Sequence, residues 1–286
     1  MKFIFTILVL LSTSANATEE LLFSNEEKQV KKITLSELKS RFKPQKVSVF
    51  NPYTLKPEIY NAFDMKEIFN FIYGKKWRDS FAFRVSTKDK YSPLIETYKF
   101  NERKSFLAYS RSDNKEFVSL TFYKEKIVDL APFYLIWNEN KEEVPSRRMS
   151  HWPYKVIGFN LVSSFPEYLI PPKDSNQKLK WGYENVRKHC LACHSLYGHG
   201  STKAGELISN NLTKKFSDKE LKRFINQPRK VNPRSKMPIF SPKIDNRVDR
   251  INNIVIYLRY LEEKSKVKRK SKTEALNKEL QKRIKN

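Results

Sequence analysis

The chain is poor in cysteine, with two in 286 residues, and poor in glycine, with six. So few thiols exclude a disulfide-stapled scaffold and any metal site built from cysteine alone. Beyond the first dozen residues no apolar run approaches the roughly 18 residues that a membrane helix needs, which argues against an integral membrane protein. Acidic residues are also scarce, 31 against 56 basic ones, for a net charge of +25. Such an excess ordinarily points to nucleic acid, anionic lipid or an acidic partner. A high aromatic content, with 20 Phe and 14 Tyr, argues against disorder throughout.

The first seventeen residues read as a removable signal peptide, with a retained N-terminal anchor as the alternative. Met1-Lys2 is a short basic start, Phe3 to Leu11 is apolar, and Ala15-Asn16-Ala17 has the small-x-small form of a cleavage site. The signal does not end in cysteine, so no lipid-modified terminus is expected. An exported chain seldom meets nucleic acid, so none is expected as a partner, and a periplasmic location follows.

Both cysteines fall in one string, Cys190-Leu191-Ala192-Cys193-His194. At this composition such a C-x-x-C-H string arises by chance about 2 times in 10,000, and it is the haem attachment pattern. Two thiols about a helical turn apart can add to the two vinyl groups of one porphyrin, with the histidine directed at the iron. A thioredoxin-like redox pair would follow a strand, whereas Trp181 to His189 reads as a helix. A zinc site would need further ligands, and only His189 and His199 lie near.

The flanks add to this. Four glycines, Gly182, Gly198, Gly200 and Gly205, cluster around the string, where backbone is expected to pass close to a flat cofactor. Ser217 and Glu220 form a capping box before Leu221, Phe224 and Ile225, in a helix that stops before Pro228. Another helix follows Asp245, with Ile251, Ile254, Val255, Leu258 and Leu261 at helical spacing. Between them Lys236-Met237-Pro238 sits in a proline-broken, extended loop.

In this order of parts, residues from about 178 to 263 resemble a class I cytochrome c domain. The resemblance implies one covalent haem c, thioether attachment at Cys190 and Cys193, and His194 and Met237 as axial ligands of the iron. The family usually has a proline after the loop glycine, whose carbonyl orients the proximal histidine. Here Glu206 follows Gly205. An aromatic usual four positions before the first cysteine is replaced by Val186, so Tyr183 and Tyr257 are expected to fill the contact between first and last helices.

Residues 18–172 read as a separate α+β domain. Thr34 with Glu37 and Asp64 with Glu67 start short helices, the second ending at Gly74. Strands are expected over Phe81 to Val85, Ser105 to Tyr109, Phe117 to Tyr123, Pro132 to Trp137 and Tyr154 to Val162. The stretches Phe81 to Leu94, Phe106 to Tyr109, Ala131 to Trp137 and Trp152 to Leu161 faintly resemble the molybdopterin-binding domain of sulfite-oxidase-type enzymes. That family holds molybdenum through a cysteine, and none is left over here, so no molybdenum cofactor is expected. His151-Trp152-Pro153-Tyr154 reads as core, and Arg147-Arg148 as a solvated pair.

The expected organisation is therefore a signal peptide (1–17), an α+β domain (18–172), a linker (173–179), an all-α class I cytochrome c domain (180–263) and a basic tail (264–286). Six basic residues lie between Lys264 and Lys272, a handle for an acidic redox partner or anionic membrane. The reading is an exported electron carrier rather than a catalyst, serving periplasmic redox proteins or an oxidoreductase complex. The alternative is a haem-containing oxidoreductase, or a subunit of one, whose first domain binds a substrate, cofactor or partner.

Overall fold

The computed structural model describes residues 20–52, 54, 56–113, 115–120, 127–138, 151–208, 215–240 and 244–265. The signal peptide, Arg147-Arg148 and all but the first two residues of the basic tail lie outside them. Among the described residues no helix is long and apolar enough to cross a membrane.

Alternation of buried and exposed residues makes the first half a sheet structure. In β1 (Glu20–Asn25), Leu21 and Phe23 point inward while Glu20 and Leu22 face out, and β2 (Lys28–Thr34) returns antiparallel with Lys28 and Lys32 exposed. Thr34 then caps α1 (Leu35–Arg41) with the expected capping box to Glu37. A hairpin follows, β3 (Gln45–Asn51) with β4 (Lys56–Asp64), whose last residue accepts from the Lys66 and Glu67 amides at the start of α2 (Met65–Tyr73). α2 ends at Gly74, as expected. Next come β5 (Ala82–Thr87), β6 (Leu94–Glu96), α3 (Thr97–Glu102) and β7 (Ser105–Arg111). They are followed by a small hairpin of β8 (Val118–Leu120) and β9 (Ile127–Asp129), then β10 (Tyr134–Trp137) and β11 (Val156–Val162). One sheet has the order β2-β1-β11-β5-β6, with β1 and β11 parallel, and the other β10-β7-β4-β3.

Aromatic rings fill the core of this half. Phe69 of α2 stacks on Phe83 of β5 at 3.8 Å between centroids and meets Trp77, Phe100 and Phe159 edge-on. Tyr73 donates to the carbonyls of Ser24 and Phe159, so α2 pins the β1–β11 pair. Trp152 is buried in this core, as the sequence suggests. β2 escaped the sequence reading because three of its seven residues are lysine, which resembles loop composition.

A second set of buried side chains runs from Phe165 to Leu261. Asn176 caps α4 (Gln177–Asn185), so residues 177–179, expected in the linker, form its first turn. A π-helical turn, Val186–Cys190, extends it with Leu191 N bonded to Val186 O. β12 (Ser195–Leu196) and β13 (His199–Gly200) pair next, and Ser195 bridges to Glu206. The capping box at Ser217 and Glu220 is present, beginning α5 (Asp218–Asn226). α6 (Pro228–Val231) gives one helical turn where extended chain was expected. The closing helix α7 spans 247–265.

The expected fold class therefore requires correction. The described residues form a mixed α/β protein with several sheets, one of five strands, and no all-α cytochrome c domain is evident. The physical reason is local. Tyr197 and Gly198 take positive φ and turn the chain back on itself, so that the segment after His194 pairs as strands where irregular loop was expected.

Candidate haem site

The string Cys190 to His194 sits at the C-terminal end of the π turn. Cys193 N and His194 N both bond to Cys190 O, at 3.1 and 2.8 Å, and Ser201 N returns to His194 O at 2.9 Å. Ala204 N bonds to Cys193 O at 2.7 Å. These bonds fix the backbone of both cysteines and the histidine against the following loop. Gly200 is needed for that closure, because a Cβ there would lie 2.3 Å from His194 O. Gly182 plays the same part elsewhere, its missing Cβ letting α4 cross within reach of Asn253 O on α7. Gly182 and Gly200 thus serve the approach of chain to chain, whereas a Cβ at Gly198 or Gly205 would meet nothing within 4 Å. Beside the crossing, Tyr183 and Tyr257 meet edge-on at 5.8 Å, the contact expected in place of the missing aromatic at Val186.

His194 Nδ1 lies 2.7 Å from Gly205 O. A carbonyl can only accept, so the proton sits on Nδ1 and Nε2 carries the free lone pair. The Gly205 carbonyl therefore orients the ring, with no following proline. Burial holds the His194 pKa below its ordinary value, against the opposing pull of the Gly205 bond and Glu206. The ring is neutral at pH 7 and able to ligate.

A cavity of about 290 Å³ is lined by Cys190, His194 and Met237, with walls from Leu207, Phe216, Leu221, Phe224, Ile225, Ile254 and Leu258. Three of the four sequence-predicted site residues meet there. Cys193 does not line it and sits half-buried beside Lys203 and Asp89. Of the four histidines only His194 reaches the cavity: His189 stands edge-on to Phe240, His199 faces Tyr168, and His151 bonds to the Tyr91 hydroxyl.

Both thiols are free. Burial, reinforced by the neighbouring Cys193, pushes the Cys190 thiol up to about 12. A dithiol oxidoreductase needs the opposite, a cysteine at a helix N-terminus with a lowered pKa. Here the pair follows a helix, with Cys190 in the apolar wall and Cys193 outside it. The cavity residues fit a covalently attached porphyrin: an uncharged Cys190 thiol, an imidazole with fixed tautomer, a soft thioether and apolar sides, with Cys193 three residues on as the second attachment point.

Sequence reading missed how the first half grips this segment. Ser92 N donates to Ala192 O at 3.0 Å, Ser201 Oγ donates to Lys90 O at 2.5 Å, and Lys203 pairs with Asp89. Arg187 bridges Glu96 at 2.8 Å and Glu184 at 2.5 Å, and lies over the Phe81 ring. All the first-half partners come from residues 81–96, a segment with no local signal for the role.

No family model matches the chain, and no curated protein does.

Proposed function

We propose that the protein is an exported c-type haem protein that carries single electrons between periplasmic partners. The observation that carries this reading is the cavity that gathers Cys190, His194 and Met237, with His194 Nδ1 engaged by the Gly205 carbonyl. When bound, the haem supplies a one-electron couple at its iron. The chain's own residues do the rest. Cys190 and Cys193 would tether the group through thioethers, His194 would offer Nε2 to the iron, and Met237 would offer its sulfur from the same cavity. Leu221, Ile225, Ile254 and Leu258 exclude water, which sets local dielectric and hence potential. The net charge of +25 suits acidic partners whose encounter is steered and salt-sensitive. The first half carries no cysteine, so no molybdenum cofactor is proposed there.

The test is production in a host with haem-maturation machinery, followed by acid-acetone extraction and oxidised and reduced absorption spectra. Haem that stays with the chain, low-spin with a weak methionine-to-iron band in the far red, supports the carrier. Extractable or absent haem overturns covalent attachment. A covalent but high-spin spectrum would replace the carrier with a haem enzyme that has an open coordination position.

A further inference from the structure

Apart from Cys190, His194 and Met237, the cavity wall is apolar except at two places, Lys215 and Asn232. Both side chains belong to exposed residues, so they mark the rim where the cavity meets water. Lys215 is the one charged side chain among the described residues that line the cavity, and no carboxylate among them pairs with it.

Asn232 is held by its acceptor side. Its Oδ1 accepts from Arg234 N at 3.0 Å and its carbonyl from Ser235 N at 2.9 Å, while Ser235 Oγ accepts from Met237 N at 3.2 Å. The turn that leads to Met237 therefore uses the amide oxygen and leaves the Nδ2 group to donate. The rim thus offers an ammonium and an amide NH2, two donor groups beside an otherwise apolar space. A few polar groups on an apolar pocket fix the orientation of what enters it. Haem has an apolar, flat body and one polar edge that carries two carboxylates. With that edge turned inward, the carboxylates would face Leu221, Ile225, Ile254 and Leu258, which donate nothing.

On the haem reading above, we infer that Lys215 and Asn232 receive the haem carboxylates, fixing the orientation of the group and setting how its potential responds to pH. An ammonium beside a carboxylate favours the ionised form and offsets its charge. Net charge near the iron tunes its potential. The paired carboxylate therefore holds the potential higher than a bare one would, and keeps it less dependent on pH near neutrality.

The test is the midpoint potential of the full protein with covalent haem, followed from about pH 5 to 9 in the unsubstituted chain, K215M, K215R and N232D. K219M, at an exposed lysine that does not line the cavity, is the charge control. K215M should lower the midpoint at neutral pH and raise by about one unit the pH at which it begins to fall, a tenfold change in proton affinity. K215R should restore both. N232D keeps an acceptor for Arg234 N but replaces the donor by a like charge, so its midpoint should also fall. Should N232D lose the methionine-to-iron band, the Met237 turn has moved and K215M decides alone. A midpoint and pH profile unchanged in K215M, a shift in K219M as large as in K215M, or an unchanged midpoint in N232D with the band intact would each overturn the inference. Haem that is absent or extractable in the unsubstituted chain would instead overturn the haem reading itself.

Discussion

The two halves solve the problem of a core in opposite ways. The first fills its interior with its own rings: Phe69, Phe83, Phe100, Phe159 and Trp77 close on one another. The second wraps apolar residues around a cavity that its own side chains do not fill. Close packing is worth many small contacts, and walls facing a void forfeit theirs. A self-filled core is stable as made, whereas the cavity-bearing core would be completed by the proposed haem. The two are joined by a seam in which Asp89, Lys90, Ser92 and Glu96 meet Lys203, Ser201, Ala192 and Arg187, and Phe81 and Leu94 pack against the second core.

The sharpest way to break this contrast is to remove the attachment points. Replacing both Cys190 and Cys193 by alanine should abolish covalent haem, read as loss of haem stain on a denaturing gel. It should also lower the melting of the second half while leaving the first unchanged. If both halves melt as before, the cavity needs no guest. Next in size, Phe69→Ala should cost about 3–5 kcal/mol in the first half, measured by denaturant unfolding. Haem absorbance should follow a separate transition. A single shared transition would show that the seam makes the halves one cooperative unit.

Protonation discriminates further. Burial, with Lys99 and Lys188 nearby, depresses the His151 pKa to about 3. The unfolded chain binds a proton near pH 6.5 that the folded chain refuses, so stability falls as pH drops from about 6.5 toward 3. The loss should amount to a few kcal/mol and appear in the first-half transition, and H151F should flatten it.

The seam itself gives a smaller effect. Arg187→Met removes the guanidinium between Glu96 and Glu184 and should cost about 1–2 kcal/mol, because the partly buried Glu96 then keeps only Lys99. The smallest is Asp89→Asn. Burial raises the Asp89 pKa, but bonds from Lys203 and Thr87 outweigh it and hold the carboxyl below the usual range. Its stabilisation is present above about pH 4 and lost as pH falls through the lower folded value. A third of the side chain is exposed, so the effect should stay below about 1 kcal/mol, read as a small shift in acid unfolding.

How much of this was legible depended on whether the signal was local. The capping boxes at Thr34 and Ser217, the Gly74 stop and the aromatic strands are written in neighbouring residues and could be read directly. The spacing of Cys190, Cys193 and His194 was equally plain. The turn at Tyr197 and Gly198 that pairs β12 with β13 was not, since two-residue strands carry no periodicity. The all-α expectation failed on that account. The Gly205 carbonyl was hidden because backbone acceptors leave no mark on residue identity. The grip of residues 81–96 on the attachment segment was hidden as well, because its partners lie about a hundred positions away.

One feature of the first sheet has a kinetic meaning. β1, at residues 20–25, lies parallel to β11, at 156–162, and sits between it and β2. The opening strand of this half therefore waits for its last one, with more than a hundred intervening residues to gather first. Loop closure of that length is slow. Within the first sheet, an emerging chain holds only the β1–β2 and β5–β6 pairs until Val162 appears, and α4 follows almost at once. The two halves are thus synthesised in sequence but reach their folds nearly together, and any helper that guards the nascent chain must guard both.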